Sequence, residues 1–174
     1  LAVMLLGAVF APWIVPQDPD LQIATEALKR PSLSHPFGTD NVGRDTLSRV
    51  IYGARVSLLV GLVAIAIAAV AGVPLGLVAG YYGGWLDSVT MRIMDALLAF
   101  PAMLLAIFLV AVLGPSLTNA VVAIAIIYVP AFARLARANC LSLREKEFVE
   151  AARCLGASDL RIMTRSILPN SLSP

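Results

Sequence analysis

Between Arg55 and Asp87 the sequence reads VSLLVGLVAIAIAAVAGVPLGLVAGYYGGWL, residues 56–86, without one charged side chain. About 20 apolar residues in a helix cross the hydrocarbon core of a bilayer, so this run is long enough to span a membrane. The pattern predicts a helix over about 56–80. Gly72, Pro74 and Gly76 lie inside it, a combination that would break a helix in water. Within a bundle it permits a kink and close helix approach. Packing explains these three residues, and a hinge between inward- and outward-facing states is the second role open to them.

Working outward, residues 96–133 form another uncharged run, between Asp95 and Arg134. It predicts one helix over about 88–113, with Pro101 inside it, and another over about 117–135. Gly114, Pro115 and Ser116 make the turn between them. Tyr81, Tyr82 and Trp85, interleaved with Gly80, Gly83 and Gly84, read as a short turn at the water interface, where amphipathic rings settle. Arg92 and Asp95 stand one turn apart near the start of the third helix, as an interfacial charge pair or a contact on a pathway. On the other side, Leu1 to Val15 reads as the remnant of a first transmembrane helix whose true start is missing. Residues 16–54, rich in proline and turn formers, read as a loop with local structure.

Composition agrees with a membrane protein: the chain is 59% hydrophobic and 14% charged, too apolar for a soluble domain of this size. The net charge is +2 and the basic residues are scattered, which excludes an electrostatic footprint for nucleic acid. Cys140 and Cys154 have no metal-ligand or CxxC spacing and read as unpaired thiols. His35 is the only histidine, and in a proline-rich loop it reads as a turn residue, so no metal or cofactor is expected. In the loop around it, Asp40 and Asp45 are expected to shape turns, with Arg44, Arg49 and Arg55 pairing with acids or lipid phosphates.

Arg134, Arg137, Arg144, Lys146, Arg153, Arg161 and Arg165 face only Glu145, Glu147, Glu150 and Asp159 in the last forty residues or so. A basic excess next to a membrane span argues for the cytoplasmic side, which places the 16–54 loop outside. Counted with Arg55 at its end, that loop has five bases and five acids. Phe148, Ala151, Ala152 and Leu155 recur at i, i+3, i+4 and i+7, so residues 141–155 read as an amphipathic helix ended by Gly156. Ser158 can cap a second short helix in which Leu160, Met163 and Ile167 share a face, until Pro169 stops the pattern. On spacing alone, two short amphipathic helices joined at a glycine suit a lipid interface as well as a protein partner.

The wording of this segment goes further. Glu150, Ala151, Ala152, Gly156, Ile167, Leu168 and Pro169 closely resemble the EAA signature of ABC importer permeases, with Ser166 where that pattern expects isoleucine. The run from His35 through Gly38, Asp40, Gly43, Arg44, Asp45 and Arg49 to Arg55 resembles the segment before the second helix in dipeptide, oligopeptide and nickel importer permeases. More closely it resembles the second, or C-type, of their two permease subunits. The likeness continues through Gly72, Pro74, Gly76 and the Gly80 to Trp85 turn to Phe100 and Pro101, covering nearly the whole chain.

The resemblance implies an all-α integral membrane protein of the bacterial inner membrane, a type I importer bundle whose core spans residues 55–174, with the C-terminal helices missing. Residues 141–169 would be the coupling-helix loop, in which Glu150, Ala151, Ala152, Leu155, Gly156, Leu168 and Pro169 meet an ATPase. Its implied partners are a second permease subunit, two ATP-binding subunits and an extracytoplasmic substrate-binding protein. The implied cargo is di- or oligopeptide, with nickel as the alternative. The chain contains no GxxxxGK[ST] phosphate loop, and its only lysines are Lys29 and Lys146, so ATP hydrolysis would fall to partners. An intramembrane hydrolase would want a nucleophile with a base, and no histidine lies in any predicted span. A membrane scaffold would need neither the EAA wording nor Gly and Pro inside its helices.

Overall fold

The computed structural model describes residue 15 and residues 17–171. The expected first-helix remnant, 1–15, lies outside the described residues but for Val15. The chain divides into two compact units, residues 1–62 and 63–174, with the division inside the long helix α1, Thr46–Tyr82.

In the first unit, residues 17–45 form a loop held by polar contacts. A 3-10 turn occupies Ala24–Glu26, and an isolated antiparallel bridge joins Thr39 to Asp45. The Leu28 N–H donates to the Asp40 carbonyl and the Thr39 N–H to the Lys29 carbonyl. Gly43 has φ +79°, and a Cβ there would meet the Ile23 carbonyl oxygen at 1.9 Å, so only glycine fits this turn.

His35, 3% exposed, sets Nδ1 3.0 Å from Asp45 Oδ1 and Nε2 3.1 Å from Glu26 Oε2. It is thus a buried link between two carboxylates. The other Asp45 oxygen accepts from the Ser48 N–H and hydroxyl, so Asp45 caps α1 at its third residue. Burial pushes the Asp45 carboxyl up, but Ser48 and His35 together hold it below its ordinary value. Asp40 is likewise opposed by burial, yet the N–H groups of Arg44 and Val42 and the Arg44 guanidinium hold it well below the usual carboxylate range. Arg49 pairs with it too, at 2.7 Å.

This cap moves a boundary. The loop expected over 16–54 ends at Asp45, and the helix expected from about 56 begins at Thr46, because Asp45 satisfies the Ser48 N–H, one of the orphan groups that open a helix.

The second unit holds the rest of α1, then α2 (Gly84–Leu98), α3 (Ala102–Leu113), α4 (Leu117–Leu143), α5 (Glu147–Cys154) and α6. The last combines α-helical Asp159–Arg161, π-helical Ile162–Ile167 and α-helical Leu168–Ser171. Among the described residues α1 and α4 are long and apolar enough to cross a membrane, and α2 with α3 makes a third crossing if the bent pair is one span.

That pair corrects the single helix expected over 88–113. Its two halves meet at 92°. Pro101, at ψ 126°, stands outside α3 as its N-cap. A proline has no N–H for the preceding turn and disfavours helical geometry at the residue before it, here Phe100. The helix expected over 117–135 runs on to Leu143, so Arg137 joins Arg134 on it rather than lying past its end.

Both charges have partners on α2. Arg137 pairs through Nε and Nη2 with both Asp87 oxygens, and Arg134 Nη2 lies 2.5 Å from Asp95 Oδ1. Asp95 therefore pairs across helices rather than with Arg92. Advancing along α2 from Asp87 to Asp95 retreats along α4 from Arg137 to Arg134, as antiparallel helices require.

The faces of α1 and α4 meet through glycine. Gly72, Gly76 and Gly80 are buried at four-residue spacing, and a Cβ on any of them would strike α4 between Val129 and Cys140. Pro74 lies between them on the exposed side, where its missing N–H disturbs no interhelical contact.

Candidate functional site

Past α4 the chain folds back as α5, a short bend and α6, and these pack on the ends of α1 and α4. Val149, Ile162 and Ile167, all fully buried, form one cluster with Leu77, Ala136 and Cys140, and Tyr81, Ala152, Ala157 and Leu168 pack against it. Full burial of each large aliphatic side chain contributes about 1.5–3 kcal/mol. The cluster is the glue of the site.

Lys146, in extended backbone, precedes α5, and Glu147 and Glu150 occupy its first turn with Arg153 in its last. Each charge complements the helix dipole. The α5 helix ends in a Schellman motif: the Gly156 N–H donates to the Arg153 carbonyl and the Ala157 N–H to the Ala152 carbonyl, with Gly156 at φ +77°. Ser158 stands at the N-cap of α6, but its side chain caps nothing.

The buried face of α5 differs from the face expected. Val149 and Ala152 turn inward, whereas Phe148, Ala151 and Leu155 face out, Leu155 at 88% exposure. In α6 Ile162, Met163 and Ile167 are buried and Leu160 is exposed. The π segment accounts for this second shift. Its wider turn brings Ile162 and Ile167, five residues apart, onto one face, and the Leu168 N–H reaches back five residues to the Met163 carbonyl. Pro169 does not end the helix, which continues to Ser171. A π turn lets a proline's missing donor be absorbed locally.

Of the residues singled out in sequence, Glu150, Ala151, Leu155 and Gly156 are exposed on one side of the fold-back, Ala152 and Leu168 are half-buried against the cluster, and Pro169 is exposed beyond it. Gly72 and Gly76 lie on the α1–α4 contact.

One group escaped the sequence. The Tyr81 hydroxyl donates to Asp159 Oδ1 at 2.8 Å, and Arg153 Nη2 donates to the same hydroxyl at 3.4 Å. The Arg153 guanidinium stands 5.8 Å from the Tyr81 ring centroid. Nearby, Arg144 Nη1 donates to the Gly80 carbonyl at 2.9 Å, at the end of α1. These partners are more than sixty residues apart, and no local spacing reveals them.

A cleft of about 550 Å³ between α3 and α4 is lined by Ile107, Val110, Pro115, Ala123 and Ile124 among others, all apolar. It offers no group to orient a polar cargo.

Residues 72–174 match the family described as binding-protein-dependent transport system inner membrane component. The chain is 51% identical over 170 residues to a dipeptide transport system permease protein of Alkalihalophilus pseudofirmus, covering 98% of the chain and 56% of that relative. It is 49% identical over 171 residues to a glutathione transport system permease protein of Escherichia coli, covering 98% of the chain and 56% of that relative. The chain thus spans little more than half the length of these curated relatives.

Proposed function

The chain belongs to the family of binding-protein-dependent transport system inner membrane components, and we propose that it is the membrane-spanning half of an ATP-driven peptide importer, with α5 and α6 as its coupling element. It is an all-helical integral membrane protein and a transport component rather than an enzyme. In the proposed reading its partners are a second permease subunit, two ATP-binding subunits and an extracytoplasmic binding protein. The basic segment from Arg134 onward lies in the cytoplasm.

The observation that carries the reading is the outward face of α5. Phe148 and Leu155 on α5, and Leu160 on α6, stay exposed although Val149 and Ile162 of the same helices are buried in a hydrophobic cluster. Exposed large apolar side chains beside a carboxylate, here Glu150, suit a partner groove with an apolar floor and a basic rim. Ala151 lets that partner approach closely. ATP binding would draw two ATP-binding subunits together, move each coupling element, and open the cavity outward toward a loaded binding protein. The names of the relatives, one a dipeptide and one a glutathione permease, favour peptide over nickel as cargo.

The test is uptake by the complete transporter with its native partners, in a strain lacking its own peptide and nickel importers. We expect labelled dipeptide to enter, and entry to cease in a well-inserted Gly156→Pro variant. Nickel-only uptake would overturn the cargo, and normal uptake by Gly156→Pro would overturn the coupling role.

A further inference from the structure

We propose that Tyr81 is a positioning residue that fixes the bend between α5 and α6 and ties it to the end of α1. The proposal rests on the coupling reading of these two helices. Arg153 is in the last turn of α5 and Asp159 is the first residue of α6, so they flank the Leu155 to Ser158 bend from opposite sides. Both reach one atom, the Tyr81 hydroxyl, which accepts from the Arg153 guanidinium and donates to the Asp159 carboxylate. A phenol can do both at once.

The alternative anchor is the apolar cluster beneath. Burial there is strong but non-directional, and an apolar contact lets a short helix slide or roll at little cost. Hydrogen bonds to charged partners fix distance and angle. The Schellman bonds of the bend, from the Gly156 and Ala157 N–H groups, both run back to α5 and leave the direction of α6 to be set by other contacts. A directional contact from outside the bend can set that direction, and the Tyr81 hydroxyl hydrogen-bonds to both of its sides. The next turns of α1 carry Gly80 and Gly76 against α4, so a displacement of the bend reaches the α1–α4 contact through this link.

The experiment uses the full-length protein in the complete transporter, reconstituted in liposomes with its binding protein, and reads ATP hydrolysed per dipeptide translocated. Tyr81→Phe keeps the ring, its packing and its stacking on Arg153, and removes only the hydroxyl. We expect ATP consumed per dipeptide to rise about three- to tenfold, the range set by one hydrogen bond, with the thermal midpoint of the complex unchanged. Asp159→Ala should do the same, the double variant should be no worse than either single one, and Asp159→Asn, which keeps an acceptor, should stay near wild type.

A wild-type ratio in Tyr81→Phe, or additive effects in the double variant, would overturn the positioning role while leaving the importer reading intact. A wild-type complex that hydrolyses ATP while moving neither dipeptide nor nickel would remove both.

Discussion

Gly76 of α1 and Ala133 of α4 touch backbone to backbone: a Cβ placed on Gly76 would lie 2.1 Å from the Ala133 carbonyl oxygen. No side chain adopts such a distance, so the helices must separate to admit even a methyl group. Gly76→Ala is expected to cost about 1–3 kcal/mol, the range for overpacking a tight contact. Gly72→Ala and Gly80→Ala meet α4 at 2.7 and 2.9 Å and should cost less. Gly61→Ala meets nothing within 4 Å and should be neutral or slightly stabilising through helix propensity. Thermal unfolding of the full-length protein in detergent would check this order, and an equal response to Gly61→Ala and Gly76→Ala would contradict it.

The two ion pairs between α2 and α4 should contribute unequally. Arg137 grips Asp87 through two nitrogens with side-chain exposures of 33% and 18%, whereas Arg134 and Asp95 are 52% and 53% exposed. A bidentate, partly buried pair leaves a costly unpaired charge when one member is removed, and an exposed pair is worth at most about 1 kcal/mol. In double-mutant cycles on stability, Asp87 with Arg137 should show the larger coupling. Arg137→Lys should recover only part of it, because an ammonium cannot form the fork.

The loop unit should resist mild acid and loosen in strong acid. Lys29, and His35 behind it, hold the Glu26 carboxyl below its ordinary value against burial, and Ser48 and His35 do the same for Asp45. A carboxyl depressed in the fold stabilises it fully above the unfolded pKa, about 4, and loses that contribution as pH falls through the folded value. Proteolytic nicking of residues 17–45 should therefore be insensitive to these carboxylates between pH 7 and about pH 5, and increase below about pH 4. In Asp45→Asn the acid sensitivity should shrink, because one of the titrating partners of His35 is gone. An unchanged acid profile in that variant would count against the network.

How much of this was legible in sequence depends on the range of the interactions. The spans announced themselves, because thirty uncharged residues have few fates in water. Gly156 was legible too, since a glycine just past an amphipathic run is the usual way out of a helix. The inward face of α5 was not. Phe148, Ala151, Ala152 and Leu155 make a good apolar stripe, but Leu77, Ile162 and Ile167 take Val149, which is not part of it, together with Ala152, and Phe148, Ala151 and Leu155 are left outside. Hydrophobic periodicity finds an apolar face without saying whether the chain's own core or a partner will cover it. The kink at Pro101 was hidden by the opposite ambiguity, for Pro74 and Pro130 sit inside continuous helices while Pro101 starts a new one. The Tyr81 link and the interhelical ion pairs join residues 39 to 78 apart in sequence, and spacing rules do not reach that far.

Gly156 allows the coupling assignment to be graded rather than merely broken. Its φ of +77° lies in the left-handed region, which glycine enters freely, asparagine with little strain, and alanine at about 1–2 kcal/mol. Proline is locked near −65° and would also remove the N–H that donates to the Arg153 carbonyl. If the bend must hold this shape for α5 to meet its ATPase partner, uptake by the complete transporter should fall in the order glycine, asparagine, alanine, proline. Capture of the ATP-binding subunit should fall in parallel, with membrane insertion unchanged throughout. Open space around the residue excludes steric bulk as the cause, since asparagine is larger than alanine and is expected to do better. An order that followed side-chain size instead would mean that contact with the partner, rather than backbone geometry, sets the requirement for glycine.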